Sequence, residues 1–114
     1  MAGTGVDLFQ GTLDMLILKA VSWGPVHGYS VAKWLQATTS DVLRVEEGSL
    51  YPALHRMEAR DWIVADWGLS ENNRRAKFYR LTPNGRKQLR AQASTWARFA
   101  EAVGLVLGAT TQPA

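Results

Sequence analysis

The chain has 114 residues, 46% of them apolar and 20% charged, with a formal net charge of +3. That length and composition fit one packed domain with a core of its own and exclude wholesale disorder. The lack of cysteine excludes disulfides, thiolate metal sites and cysteine nucleophiles. The opening MAGTGVDL has neither a basic stretch nor a long apolar run, so no secretory signal is expected. No apolar run approaches the roughly 18 residues of a membrane span, and the cytoplasm is the expected compartment. Residues 1–7 and 108–114 are small, polar and unpatterned, so both ends are expected to fray.

The first helix is expected over residues 12–22, with Thr12 as its cap and Asp14 in the first turn, where the helix dipole favours an acid. Leu13, Leu16, Ile17, Ala20 and Val21 form its inward stripe. Met15 and Leu18 fall on the opposite side, with Leu8 in line if the helix starts early, and that second apolar face suggests a partner subunit. Pro25 between two glycines breaks the chain. A second helix fits residues 28–37 with Val31, Ala32 and Leu35 inward, and a third fits residues 49–60 with Leu50, Ala53, Leu54 and Met57 inward. Glu46 and Glu47 precede it as acids at the helix start. Pro52 is tolerable there if it lies in the first turn.

Two strands follow, WIVADW (62–67) and AKFYRLT (76–82), rich in β-branched and aromatic residues and joined by a polar loop. Thr82 then caps a long helix with Pro83 at its first position. Along it Leu89, Ala93, Trp96, Ala100, Val103 and Leu107 recur in steps of four and three, a seam for packing against a partner helix. Three helices, a hairpin and a long helix give a mainly α chain with the layout of a winged helix-turn-helix, in which the third helix enters the major groove. The boundaries read as 8–83 for the winged domain and 84–107 for a dimerisation helix.

The densest positive charge sits on the hairpin. From Arg74 to Arg90 there are seven basic residues and no acid. Such a stretch suits nucleic acid or an anionic membrane surface. On a hairpin after three helices, Arg74 and Arg75 read as phosphate or minor-groove contacts. Asn72 and Asn73 suit a positive φ and shape the tip. Tyr51, His55 and Arg56 make the outward face of the third helix and read as base or phosphate contacts; the competing reading folds Tyr51 onto a neighbouring helix and pairs Arg56 in water. Trp96 reads either as dimer core or as a flat wall for a small aromatic effector between subunits.

Catalytic and metal chemistry find no constellation. His27 and His55 are the only histidines, and His55 with Glu58 supplies too few ligands for a metal. No phosphate loop, nucleophile elbow or paired carboxylates occur, so no enzyme and no cofactor are expected. A winged-helix protein–protein adaptor without DNA binding is the rival class, and it has no use for the wing arginines.

GTLDMLILKAVSWGPVHGYSVAKWL followed by EEGSLYPALHRMEARDWIVADWGLSENNRRAKFYRLTPNGRKQL resembles the PadR family of bacterial transcriptional regulators, in its short-tailed form with one C-terminal helix. The resemblance is dense from Gly11 to Leu89. It implies a winged helix-turn-helix with a C-terminal dimerisation helix, and a homodimer on an inverted repeat of double-stranded DNA, usually repressing. It maps DNA contacts onto Ser49, Tyr51, His55, Arg56, Arg74, Arg75 and Lys77. Some relatives sense flat hydrophobic compounds at the dimer interface.

Overall fold

The structure, a computed structural model, describes residues 2–114, with side chains described from Gly11 onward. Leu8, expected at the dimer interface, lies outside the residues whose side chains are described. In chain order the elements are α1 (Ala2–Ala20), a 3₁₀ turn (Val21–Trp23), β1 (Val26–His27), α2 (Gly28–Thr38), α3 (Glu47–Ala59), β2 (Ile63–Leu69), β3 (Arg75–Leu81) and α4 (Pro83–Leu107). The three strands form an antiparallel sheet in the order β1-β3-β2. The fold is mainly α with a β-hairpin, the winged helix-turn-helix expected from the sequence. Among the described residues no helix is long and apolar enough to cross a membrane.

The core gathers Leu13, Ile17 and Val21 from the first helical segment, Val31 and Leu35 from α2, and Leu50, Ala53, Leu54 and Met57 from α3; Ile63, Tyr79 and Leu81 close it from the sheet. The inward stripes of α2 and α3 are thus largely those that helical periodicity indicates.

The first helix departs from expectation. It begins far upstream of Thr12, which is an interior residue and not a cap. Helix propagation through Gly11 costs only about 1 kcal/mol against alanine, too little to stop it. Leu18 is fully buried in this chain's own core and offers no surface to a second copy, whereas Met15, largely buried, lines a cleft toward α4. The helix packs against both α2 and α4 of its own chain. α3 starts at Glu47, which puts Pro52 in the second turn, where it has no N–H to give the Gly48 carbonyl.

The junction of wing and α4 follows the sequence closely. The Thr82 hydroxyl accepts from the Gly85 amide at 2.9 Å and donates to the Asp61 carbonyl at 2.6 Å, while the Thr82 amide donates to the Trp62 carbonyl at 3.1 Å. One buried threonine therefore caps α4 and ties it to the end of α3 and the base of β2. The approach is so close that a Cβ on Gly85 would overlap the Trp62 carbonyl oxygen. Gly85→Ala should lower stability by about 2–3 kcal/mol although alanine is the better helix former. Urea unfolding checks this; a variant as stable as the parent would show that α4 is free to shift.

Candidate nucleic-acid interface

The outward face of α3 is organised by its flanks. At 3.6 residues per turn, Gly48, Pro52, His55 and Ala59 lie along the middle of that face, with Tyr51 on one border and Arg56 on the other. Ser49, Tyr51, Pro52, His55 and Ala59 are exposed. Tyr51 leans on α2: a Cβ on Gly28 would come within 2.9 Å of its ring. Glycine at the start of α2 is what lets the phenol lie there. Burial, then the nearby Glu47 charge, raise the Tyr51 pKa.

Arg56 turns the other way. Its guanidinium donates to the Asp14 carboxylate on α1 at 2.9 Å, with 36% of the arginine side chain exposed and 12% of the aspartate's. Arg56, expected to meet a base or a phosphate, is engaged in the DNA-free chain by an acid 42 positions away in sequence. Asp14, expected at a helix start, is instead a buried acid in mid-helix. Burial raises its pKa, and the charge and hydrogen bond of Arg56 offset this only in part, with Arg60 a smaller opposing influence. The pair therefore orients Arg56 more than it stabilises the fold. A carboxyl raised in the folded state contributes most stability below its ordinary pKa, and that contribution fades as pH rises through the raised value. In unfolding measured from about pH 4 to 7, the parent should lose stability relative to Asp14→Asn as pH rises. A relative gain would mean the ion pair outweighs the burial.

The wing tip is a three-residue loop. Ser70 and Arg74 pair through the Ser70 amide and Arg74 carbonyl at 2.8 Å, the Asn73 amide donates to the Ser70 carbonyl at 2.8 Å, and Asn73 has φ 60°. A type I turn closed by a left-handed residue has this form, and asparagine tolerates it. Arg74 and Arg75 are exposed, and no ion pair engages either among the described residues. Arg75 lies 4.5 Å from the centre of the Trp67 ring. Lys77 is different: half-buried, it reaches Glu58 of α3 at 3.6 Å. It bridges wing and α3 in the DNA-free chain, so the DNA contact expected of it would compete with Glu58.

Sequence reasoning gave the start of α2 but did not single out the side chains exposed there. His27 stacks on Tyr29 and meets Phe78 edge-on, and its ring nitrogen lies 3.1 Å from the Ser30 hydroxyl. Lys33 sits 5.3 Å from the Tyr29 ring. The exposed pair Tyr29 and Lys33, four apart on one helix face, was the signal available.

Apart from this interface, a cleft of about 580 Å³ opens between α1 and α4, lined by Asp14, Met15, Trp62, Trp96 and Phe99 among others. Trp96 and Phe99 meet at 5.8 Å. Of the expected seam, Leu89 is half-buried against this chain's own core, whereas Ala93, Trp96, Ala100, Val103 and Leu107 are exposed. Phe99, Leu105 and Val106 add exposed apolar surface that the single seam left out.

The model of the transcriptional regulator PadR-like family matches residues 17–91, more than half of the chain. The chain belongs to the PadR-like family of transcriptional regulators. It is 38% identical over 81 residues to the transcriptional regulator Rv3488 of Mycobacterium tuberculosis, covering 70% of this chain and 71% of that protein. The PadR-like transcriptional regulator of Bacillus cereus has a similar structure, with a TM-score of 0.78 at 28% identity over 90% of this chain and 98% of that one. The PadR family regulator of Eggerthella lenta is also similar, with a TM-score of 0.78 at 28% identity over 96% and 93% of the two chains. PadR-like proteins are DNA-binding transcriptional regulators, generally dimeric, and not enzymes.

Proposed function

We propose that this PadR-like protein is a homodimeric repressor of an inverted-repeat operator, with residues 8–83 binding DNA and residues 84–107 joining the two copies. The observation that carries the reading is the pairing of two surfaces. The exposed face of α3 and the exposed guanidiniums of Arg74 and Arg75 belong together, because Arg75 lies on the wing face that Lys77 ties to α3. Ser49 and His55 would then meet base edges, and the Tyr51 hydroxyl, Asn73, Arg74 and Arg75 the phosphates. Arg56 and Lys77 act at one remove, holding α3 against α1 and the wing against α3.

Selection of duplexes from a randomised pool with the purified protein tests this. An inverted repeat with half-sites about 10 bp apart, or a multiple of it, is the expected product. Placing the recovered site over a promoter should lower transcription in a reporter; a rise would make the protein an activator. A small aromatic effector is the second part of the proposal. The cleft beside Trp96 has the size of a small-molecule site and aromatic walls. Titration with planar aromatic compounds should quench fluorescence in the parent and less in Trp96→Phe. Equal quenching in both would leave Trp96 as dimer packing.

A further inference from the structure

We propose that Trp67, with Leu69, is an apolar contact of the wing with the walls of the DNA minor groove, separate from the charge contacts of Arg74 and Arg75. The inference rests on the functional reading above. Strand alternation puts Ile63, Ala65, Trp67 and Leu69 of β2 on one face with Arg75, Lys77, Tyr79 and Leu81 of β3, and pairs Trp67 with Lys77 and Leu69 with Arg75. The inner end of that face is core, where Ile63, Tyr79 and Leu81 are buried. Further out, Lys77 reaches Glu58, so the face is the one turned to α3. Beyond that point it runs clear of the domain, and there Trp67 is 58% and Leu69 65% exposed.

Two large apolar side chains in water at the end of a basic arm call for a cover. The other face of the same stretch does not share the feature: Asp66, Gly68 and Ala76 are polar or small, and Phe78 packs half-buried against His27. The exposure is therefore one-sided, on the face of the wing that α3 shares and that would be turned to the duplex beside the groove α3 enters.

Charge decides the occupant. Arg75, in no ion pair among the described residues, lies 4.5 Å from the Trp67 ring centre and makes the surroundings of the indole cationic; Lys77, shared with Glu58, lies 5.9 Å from it. Arg74 stands beside them, and the chain has no acid from Arg74 to Arg90. A polyanion with apolar walls fits both properties, and the minor groove offers sugar walls between two rows of phosphate. It is narrow, too narrow for a helix but open to the side chains of a hairpin, and arginine with apolar side chains is the chemistry of minor-groove binders. The indole has a second use. By lying against Arg75 it holds that guanidinium in place, which reduces the freedom lost on binding.

Removing an uncharged group weakens binding without releasing fewer counterions. Trp67→Ala should bind the selected duplex about tenfold more weakly at every salt concentration, with the slope of log K against log salt unchanged. Trp67→Phe should recover most of the loss, and Leu69→Ser should lose about threefold with the slope again unchanged. Thermal unfolding and sedimentation of each variant accompany the titrations; should Trp67→Ala not fold, Leu69→Ser and Trp67→Phe decide the matter.

A fall in slope by about one unit would mean that Trp67 acts only by holding Arg75, and would overturn the apolar contact. Loss of dimer in step with loss of affinity would assign the face to a second copy of the chain and overturn it too. Undiminished binding by the Trp67 and Leu69 variants, while Arg74→Ala with Arg75→Ala binds weakly, would sink this inference and leave the function standing. Failure of the parent to retain any duplex at low salt would remove both.

Discussion

Replacing both tip arginines, Arg74→Ala with Arg75→Ala, is expected to weaken binding to duplex DNA about a hundredfold at low salt and to lower the salt slope by about 1 to 2 units. The loss should be nearly the same for selected and unrelated sequences, because a phosphate contact carries no base information. Both guanidiniums are exposed and neither is held in an ion pair among the described residues, so no carboxylate there competes with phosphate for them. Lys77→Ala should behave differently. Its ammonium is shared with Glu58, so its removal loosens the wing against α3 and leaves the slope nearly unaltered. Titration across a salt series separates the two, and equal slopes for parent and double variant would put the tip off the DNA.

The largest effect is expected on assembly. Trp96→Glu with Phe99→Glu should raise the dimer dissociation constant about a thousandfold, since each buries a charge where two aromatic anchors would sit. Trp96 is 41%, Phe99 48% and Val103 37% exposed, and Leu107 continues the same helix face to the end of α4. Such a face is large for a single chain to leave in water. The half-sites of an inverted repeat are then no longer held by one molecule, and operator affinity should fall while weak general DNA binding persists. Sedimentation over a concentration series reads the first effect. A variant that stays dimeric would move the interface off α4.

What the sequence made legible depended on how far apart the interacting groups are. The cap at Thr82, Pro83 after it and the left-handed Asn73 are local, set by neighbours within a few residues, and all three are where their chemistry indicates. The stripes of α2 and α3 were legible because helical period alone fixes which side is apolar. Arg56 was not: periodicity places it near the outward face, and only the packing of α1 reveals Asp14 against it. Lys77 repeats the case with Glu58. Leu18 was assigned to a partner on the assumption that a second apolar face means a second chain, whereas α1 packs against α2 and α4 of its own chain and Leu18 is buried in that core. β1 spans two residues, Val26 and His27, too few for any alternation to show. Trp67 carried no charge and matched the strand pattern, so nothing in the sequence distinguished it from core until the exposure of the outer hairpin was seen.

A footprint of the purified protein on the duplex recovered by selection tests the central claim most directly, because it reads the position of both α3 and the wing. The expected result is two related blocks of protection about one helical turn apart or a multiple of it, each with minor-groove protection at its edge that disappears in the Arg74→Ala, Arg75→Ala variant. A duplex without protection, or protection unchanged in that variant, would contradict the account.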